Sequence, residues 1–151
     1  MKHAMYSHCG GDKILPATLQ EEIDAAITAV TVKPAVGAAA KMRDSFLLSL
    51  KGSGWSSEVS VSRDSDMTIT SLKNGVGLCL QTGNMARIYA DLMKLQAMYL
   101  DNSIKSAAIV LPSHPVAKLL GSNIAQAKRL ERELEIFKKA YHVPTLVFAL
   151  E

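Results

Sequence analysis

The dipeptide Asn74-Gly75 sits between two alternating apolar stretches, DMTITSL (66–72) and VGLCLQ (76–81). Asn and Gly are the residues that best tolerate the positive φ angles of a two-residue type I′ hairpin. The pair therefore specifies a β-hairpin and its register. Lys73 faces Val76, Leu72 faces Gly77, Ser71 faces Leu78 and Thr70 faces Cys79. Side chains alternate across a strand. One hairpin face then carries Met67, Ile69, Leu78 and Leu80 and is expected to meet the core. The other carries Thr68, Thr70, Cys79 and Gln81, a short uncharged polar row.

The hairpin has helices before and after it. Thr18-Leu-Gln-Glu21 is a capping box with Pro16 upstream, opening a helix with Leu19, Ile23, Ala26, Ile27 and Val30 on one face. Lys33-Pro34 ends it, and a short second helix runs through Met42, Phe46 and Leu50 to a turn at Lys51–Trp55. SEVSVSR (57–63) reads as a strand before the hairpin. After it comes a helix from about Asn84 to Leu100, with Met85, Ile88, Tyr89, Leu92, Leu95 and Tyr99 at helical spacing. A buried strand AAIVLP, a helix through Ile124, Ala127, Leu130, Leu134 and Phe137, and a last strand TLVFAL complete the pattern. Met85, Met93 and Met98 read as core filler, and His114 as a surface loop residue. The run 128–139 mixes both signs, with Glu135 facing Lys139, and reads as a solvated helix face. Hairpin strands followed by helix crossovers predict an α/β fold, a mixed central sheet flanked by helices, in one domain spanning 1–151.

Composition narrows the function classes. Hydrophobic residues make up 48% and charged residues 21% of 151, which excludes a disordered chain. No apolar run approaches the roughly 20 residues of a membrane helix. MKHAMYSHCGGDK has no apolar signal region, so a cytoplasmic location is expected. The net charge of +3 is mild and scattered, which permits nucleic acid without specifying it. Cys9 and Cys79 are expected as free thiols.

The order of motifs resembles the BglII-type restriction endonucleases, a branch of the PD-(D/E)XK nuclease superfamily. The resemblance covers nearly the whole chain. Tyr6-Ser-His8 with Gly-Asp-Lys-Ile-Leu15 is similar to the family's opening motif, and Gly54-Trp55 with Glu58 to the approach to its sheet. Ile69–Val76 resembles its first catalytic strand and Leu78–Asn84 its second. The helix from Arg87 to Tyr99 and the strand from Ala108 to Pro112 continue the match.

The family pattern places an Asp on the first strand and Glu-x-Gln on the second, holding Mg²⁺. Carried onto this chain, the Asp position is Thr70, the Glu position is Cys79, and only Gln81 is retained. The hairpin register had already set Thr70 opposite Cys79. A hydroxyl and a thiol are poor Mg²⁺ ligands. The resemblance thus implies a catalytically degenerate nuclease fold acting by binding, with no metal ligand set and no cofactor. The implied partner is DNA, or a protein such as a toxin or nuclease that the chain neutralises or regulates. DNA would be gripped through Lys73, Asn84 and Arg87. Asn84 is placed as the N-cap of its helix, and helix N-termini attract phosphate. A homodimer follows by analogy alone. Two alternatives stay open: an active Mg²⁺-dependent endonuclease with relocated acids at Glu58, Asp64 or Asp66, and an immunity- or antitoxin-type interaction module. Asp64 and Asp66 share the parity of Thr70 but precede it, so they need a bulge to reach the site.

Overall fold

Asn74 and Gly75 adopt φ of 46° and 77° and close the hairpin. The computed structural model describes every residue from Met1 to Glu151. In chain order the elements are β1 (His3–His8), α1 (Gly11–Ile14), α2 (Ala17–Thr28), α3 (Ala39–Gly52), β2 (Val59–Ser60), β3 (Thr68–Ile69) and β4 (Ser71–Lys73). They continue as β5 (Val76–Leu80), α4 (Arg87–Leu100), β6 (Ser106–Pro112), α5 (His114–Leu120), α6 (Ala127–Phe137) and β7 (Thr145–Leu150). A five-stranded sheet has the order β1-β7-β6-β5-β4, and β2 and β3 form a separate ribbon. The central strands β5, β6 and β7 run parallel, and β1 and β4 flank them antiparallel. This is the α/β architecture expected, a mixed sheet with helices on both faces.

The topology distributes the layers. Strands β5, β6 and β7 lie side by side in chain order, so right-handed crossovers bring α4 and α6 to one face. There Ile88, Leu92 and Leu95 of α4 and Leu130 and Leu134 of α6 pack on Ala107, Ile109, Leu111 and Val147. Helices α2 and α3 cover the opposite face, where Ile23, Ile27, Met42 and Phe46 meet Leu78, Val110, Leu146 and Phe148. With both faces covered, β6 is buried along its whole length, which explains its unbroken apolar run.

The predicted register holds from Lys73–Val76 to Ser71–Leu78 and then stops. A continued ladder would pair the Leu80 N–H with the Ile69 carbonyl. Instead Leu80 N–H donates to Thr70 Oγ1 at 3.0 Å, and the chain leaves the sheet. The stretch DMTITSL therefore splits, with β4 on β5 and β3 on β2. The break reverses the side on which Ile69 lies. Ile69 packs in the same layer as Cys79, not with Leu78 and Leu80 as alternation predicted, and Met67 is exposed.

Other departures are local. Helix α2 begins at Ala17, with Leu19 and Gln20 N–H groups donating to the Pro16 carbonyl, so Thr18 lies inside the helix and caps nothing. The helix ends at Thr28, ahead of Lys33-Pro34, and α3 is a full 14 residues. Ser113 caps α5 by accepting from the Val116 N–H, which makes His114 its first residue and not a loop residue. Glu135 pairs with Lys138, not Lys139, and also accepts from Tyr6. Met93 faces solvent, unlike Met85 and Met98. No helix is long and apolar enough to cross a membrane.

Helix α1 rests directly on the sheet. A Cβ at Gly11 would stand 2.2 Å from the Thr145 carbonyl oxygen, with backbone atoms unable to move aside. Gly11→Ala is expected to lower the free energy of unfolding by about 2 kcal/mol or more, read from urea denaturation. An unchanged midpoint would show that this close approach does not persist in solution.

Candidate functional site

Where the chain leaves the sheet at Thr70, a cleft of about 510 Å³ opens at the C-terminal end of β5. The carboxyl ends of parallel strands are where α/β sheets usually place their sites. The floor is Thr70, Leu80 and Gln81, and Glu58 and Arg43 form one wall. Helix α4 supplies the other wall with Arg87, Asp91 and Lys94. Spacings of four and three residues put these on one helix face, beside the apolar stripe that meets the sheet.

Gln81 organises the cleft. Its Nε2 donates to Asp91 Oδ2 at 2.9 Å, and its Oε1 accepts the Gly83 N–H at 3.1 Å. Asp91 is buried, and Lys94 Nζ stands 3.6 Å from its Oδ1. Desolvation raises the Asp91 pKa, and the bonds from Gln81 and Lys94 oppose that rise. Arg43 reaches 4.0 Å from Glu58 and donates to the Leu80 carbonyl. Arg87 has no ion pair. A Cβ at Gly83 would stand 3.1 Å from Gln81 Oε1, so the glycine leaves the Gln81 amide its place. Three cations thus face two carboxylates, and the surplus positive charge sits on Arg87.

The structure separates the residues singled out from sequence. Thr70, Gln81, Glu58 and Arg87 line the cleft together. Cys79 does not face it as one of an open polar row. It is 1% exposed within the layer under α4, beside Ile69 and Leu95. Burial pushes its thiol pKa far up, so it stays protonated. Asp64 and Asp66 are exposed in the turn between β2 and β3 and do not line the cleft. Lys73 also lies outside it. Its ammonium holds Glu22 at 2.8 Å, and Trp55 Nε1 donates to the same carboxylate at 2.8 Å. This bond with Lys73 is the main reason the Glu22 carboxyl titrates below its usual range. Lys73 thus closes a link between α2 and the hairpin, where a free cation for DNA was expected. Asn84 is not the N-cap of α4, which begins at Arg87. Its Oδ1 accepts the Ala86 N–H at 2.8 Å, and its backbone bridges to Ile124.

Sequence reasoning missed Asp91, Lys94 and Arg43. The first two carried a readable signal, since charges at 87, 91 and 94 recur at helical spacing beside the apolar stripe. Arg43 carried none, because only the packing of α3 brings it to the end of β5.

The family model for restriction endonuclease BglII/BglIII matches residues 3–150. The chain belongs to the BglII/BglIII restriction endonuclease family. Among solved structures, restriction endonuclease BglII complexed with a DNA 16-mer superposes with a TM-score of 0.86 at 15% identity, covering 99% of this chain and 76% of that one. Free BglII gives 0.71 at 18% identity, over 100% of this chain and 80% of that one. At these identities the BglII likeness establishes the restriction-endonuclease fold. No curated protein matches the chain significantly.

Two measurements probe the site. In the native protein a thiol reagent is expected to modify Cys9 alone, with Cys79 reacting only on unfolding. Prompt reaction of both would mean the Cys79 layer is open. The second concerns Asp91, whose folded pKa lies above its unfolded one. The stability linked to its neutral form is full below the unfolded value, about 3.9, and is lost as pH rises through the folded value. Asp91→Asn should therefore raise Tm at pH 7 and flatten its pH dependence. A lower Tm at pH 7 would show that the Lys94 pair outweighs desolvation.

Proposed function

We propose that this member of the BglII/BglIII family is a catalytically degenerate nuclease-fold protein that binds duplex DNA through the cleft at the end of β5. The observation that carries the reading is the environment of the two positions where the family resemblance implies acids. Thr70 Oγ1 is occupied in accepting the Leu80 N–H, and Cys79 is a neutral thiol sealed in the apolar layer. Mg²⁺ requires several oxygen ligands, usually with carboxylates among them. The donors at these two positions do not suit it. The cleft instead offers cations to a polyanion, with Arg87 free to meet a phosphate. Lys73 and Asn84 are left out of this surface.

A second reading has one observation in its favour. Glu58, one of the acids proposed as relocated, lines the cleft together with Asp91. An active endonuclease would use this pair, and Asp64 and Asp66 have no part in it.

Incubation with plasmid DNA and Mg²⁺ or Mn²⁺, alongside equilibrium binding to a short duplex over a salt series, separates these readings. Binding without cleavage is expected, with log K falling linearly in log salt. Arg87→Ala should shallow that slope by about one. Metal-dependent nicking abolished by Glu58→Gln or Asp91→Asn would establish the second reading. Absence of salt-sensitive DNA binding would overturn the first.

A further inference from the structure

The five-stranded sheet ends on two different edges. At one, β4 is closed by the segment ahead of the β2–β3 ribbon. Ser56 donates its N–H to the Leu72 carbonyl at 3.2 Å and accepts the Leu72 N–H on its Oγ at 2.8 Å. At the other edge, β1 pairs with β7 alone. Lys2 and Glu151 exchange both main-chain hydrogen bonds, at 3.2 and 2.9 Å. Alternation along an antiparallel ladder then gives β7 the groups of Ala4, Tyr6 and His8. It turns the N–H and carbonyl groups of His3, Met5 and Ser7 outward, and no other main-chain group of the protein takes them up.

An open strand edge is a template for pairing, and proteins usually blunt it with charge or proline. The middle of β1 has neither. Ala4, Met5, Tyr6 and Ser7 are uncharged, and Ala4, Met5 and Ser7 are exposed, Met5 to 58%. The edge is also complementary to itself. With Met5 set opposite Met5 of a second copy, His3 falls opposite Ser7, and every outward donor meets an acceptor. On one face Tyr6 then lies across from Ala4, a large ring against a small side chain. That face also brings the exposed Lys2 of one copy toward Glu135 of the other, which accepts from the Tyr6 hydroxyl. On the other face His3, 3.3 Å from Asp24, approaches Asp12, which accepts from Ser7 Oγ at 2.6 Å. A group able to carry positive charge therefore meets a carboxylate on both faces.

We infer that β1 is a dimerisation edge, at which two copies of this chain join their β1 strands antiparallel about a two-fold axis at Met5. The contact is isologous, and it merges the two sheets into one of ten strands, five from each copy. Strands β7 and β6 stand between β1 and β5, so the cleft stays open in this dimer.

Sedimentation of the full chain over a concentration series tests the edge. The native protein is expected to run as a concentration-dependent dimer. Met5→Lys and Met5→Glu each set like charges face to face across the axis and should weaken dimerisation about tenfold. Mixed in equal amounts, the two variants should recover the dimer, because opposite charges then face one another, and recovery shows that both are folded. Met5→Pro removes an outward N–H while leaving the β7 ladder its bonds, and should weaken the dimer as well. A native protein that stays monomeric overturns the inference and leaves the edge to a strand of another protein. A dimer that neither charged variant weakens overturns it too, and places the interface on another face. So does a mixture of the two that stays monomeric.

Discussion

The hydrogen bond from the Leu80 N–H to Thr70 Oγ1 shapes the end of the sheet where the cleft opens. A hydroxyl in the place of a backbone acceptor ends the β4–β5 ladder after three residue pairs. The chain before it then departs to pair with β2 and carries Ile69 into the layer under α4. The gap left beside β5 becomes the cleft. A sheet that continued its ladder would have no opening there, and Arg43 and α4 would have no shared space to face.

The cleft is held by polar contacts that sit on apolar layers. Helix α4 buries Ile88, Leu92 and Leu95 against the sheet and turns Arg87, Asp91 and Lys94 to the opening. Burying a carboxylate is costly unless its lone pairs are satisfied. Gln81 and Lys94 satisfy Asp91, and Gln81 is itself steadied by Gly83. Behind this network lies Cys79, a small side chain that fills its layer without charge. The same scaffold in the BglII/BglIII family is a nuclease scaffold. Here Glu58 and Asp91 share the cleft with Arg43, Arg87, Lys94 and Gln81, and the thiol stays inside.

Much of the architecture is legible in the sequence. The Asn74-Gly75 turn specified the hairpin, and helical periodicity marked the buried stripes of α2, α3, α4 and α6 because amphipathic faces repeat locally. Elements held by distant contacts were not legible. The edge strand β1 mixes His, Met, Tyr and Ser and gains its form from pairing with β7, at the far end of the chain. Helix α5 is seven residues long and opens on Ser-His-Pro, which reads equally as a turn. The apparent capping box at Thr18 misplaced a helix start because the Pro16 carbonyl begins the ladder earlier.

The sequence by itself determined the turn, the register beside it, the helical faces and the family to which the chain belongs. Only the tertiary structure decided that Cys79 is sealed, that Lys73 is bound to Glu22, and that Asp91, Lys94 and Arg43 meet Thr70 and Gln81 in one cleft. The physical reason is that alternation and periodicity state which side of an element a residue occupies. What covers that side depends on crossovers and on breaks such as the one at Thr70, and these are settled by residues far away in the chain.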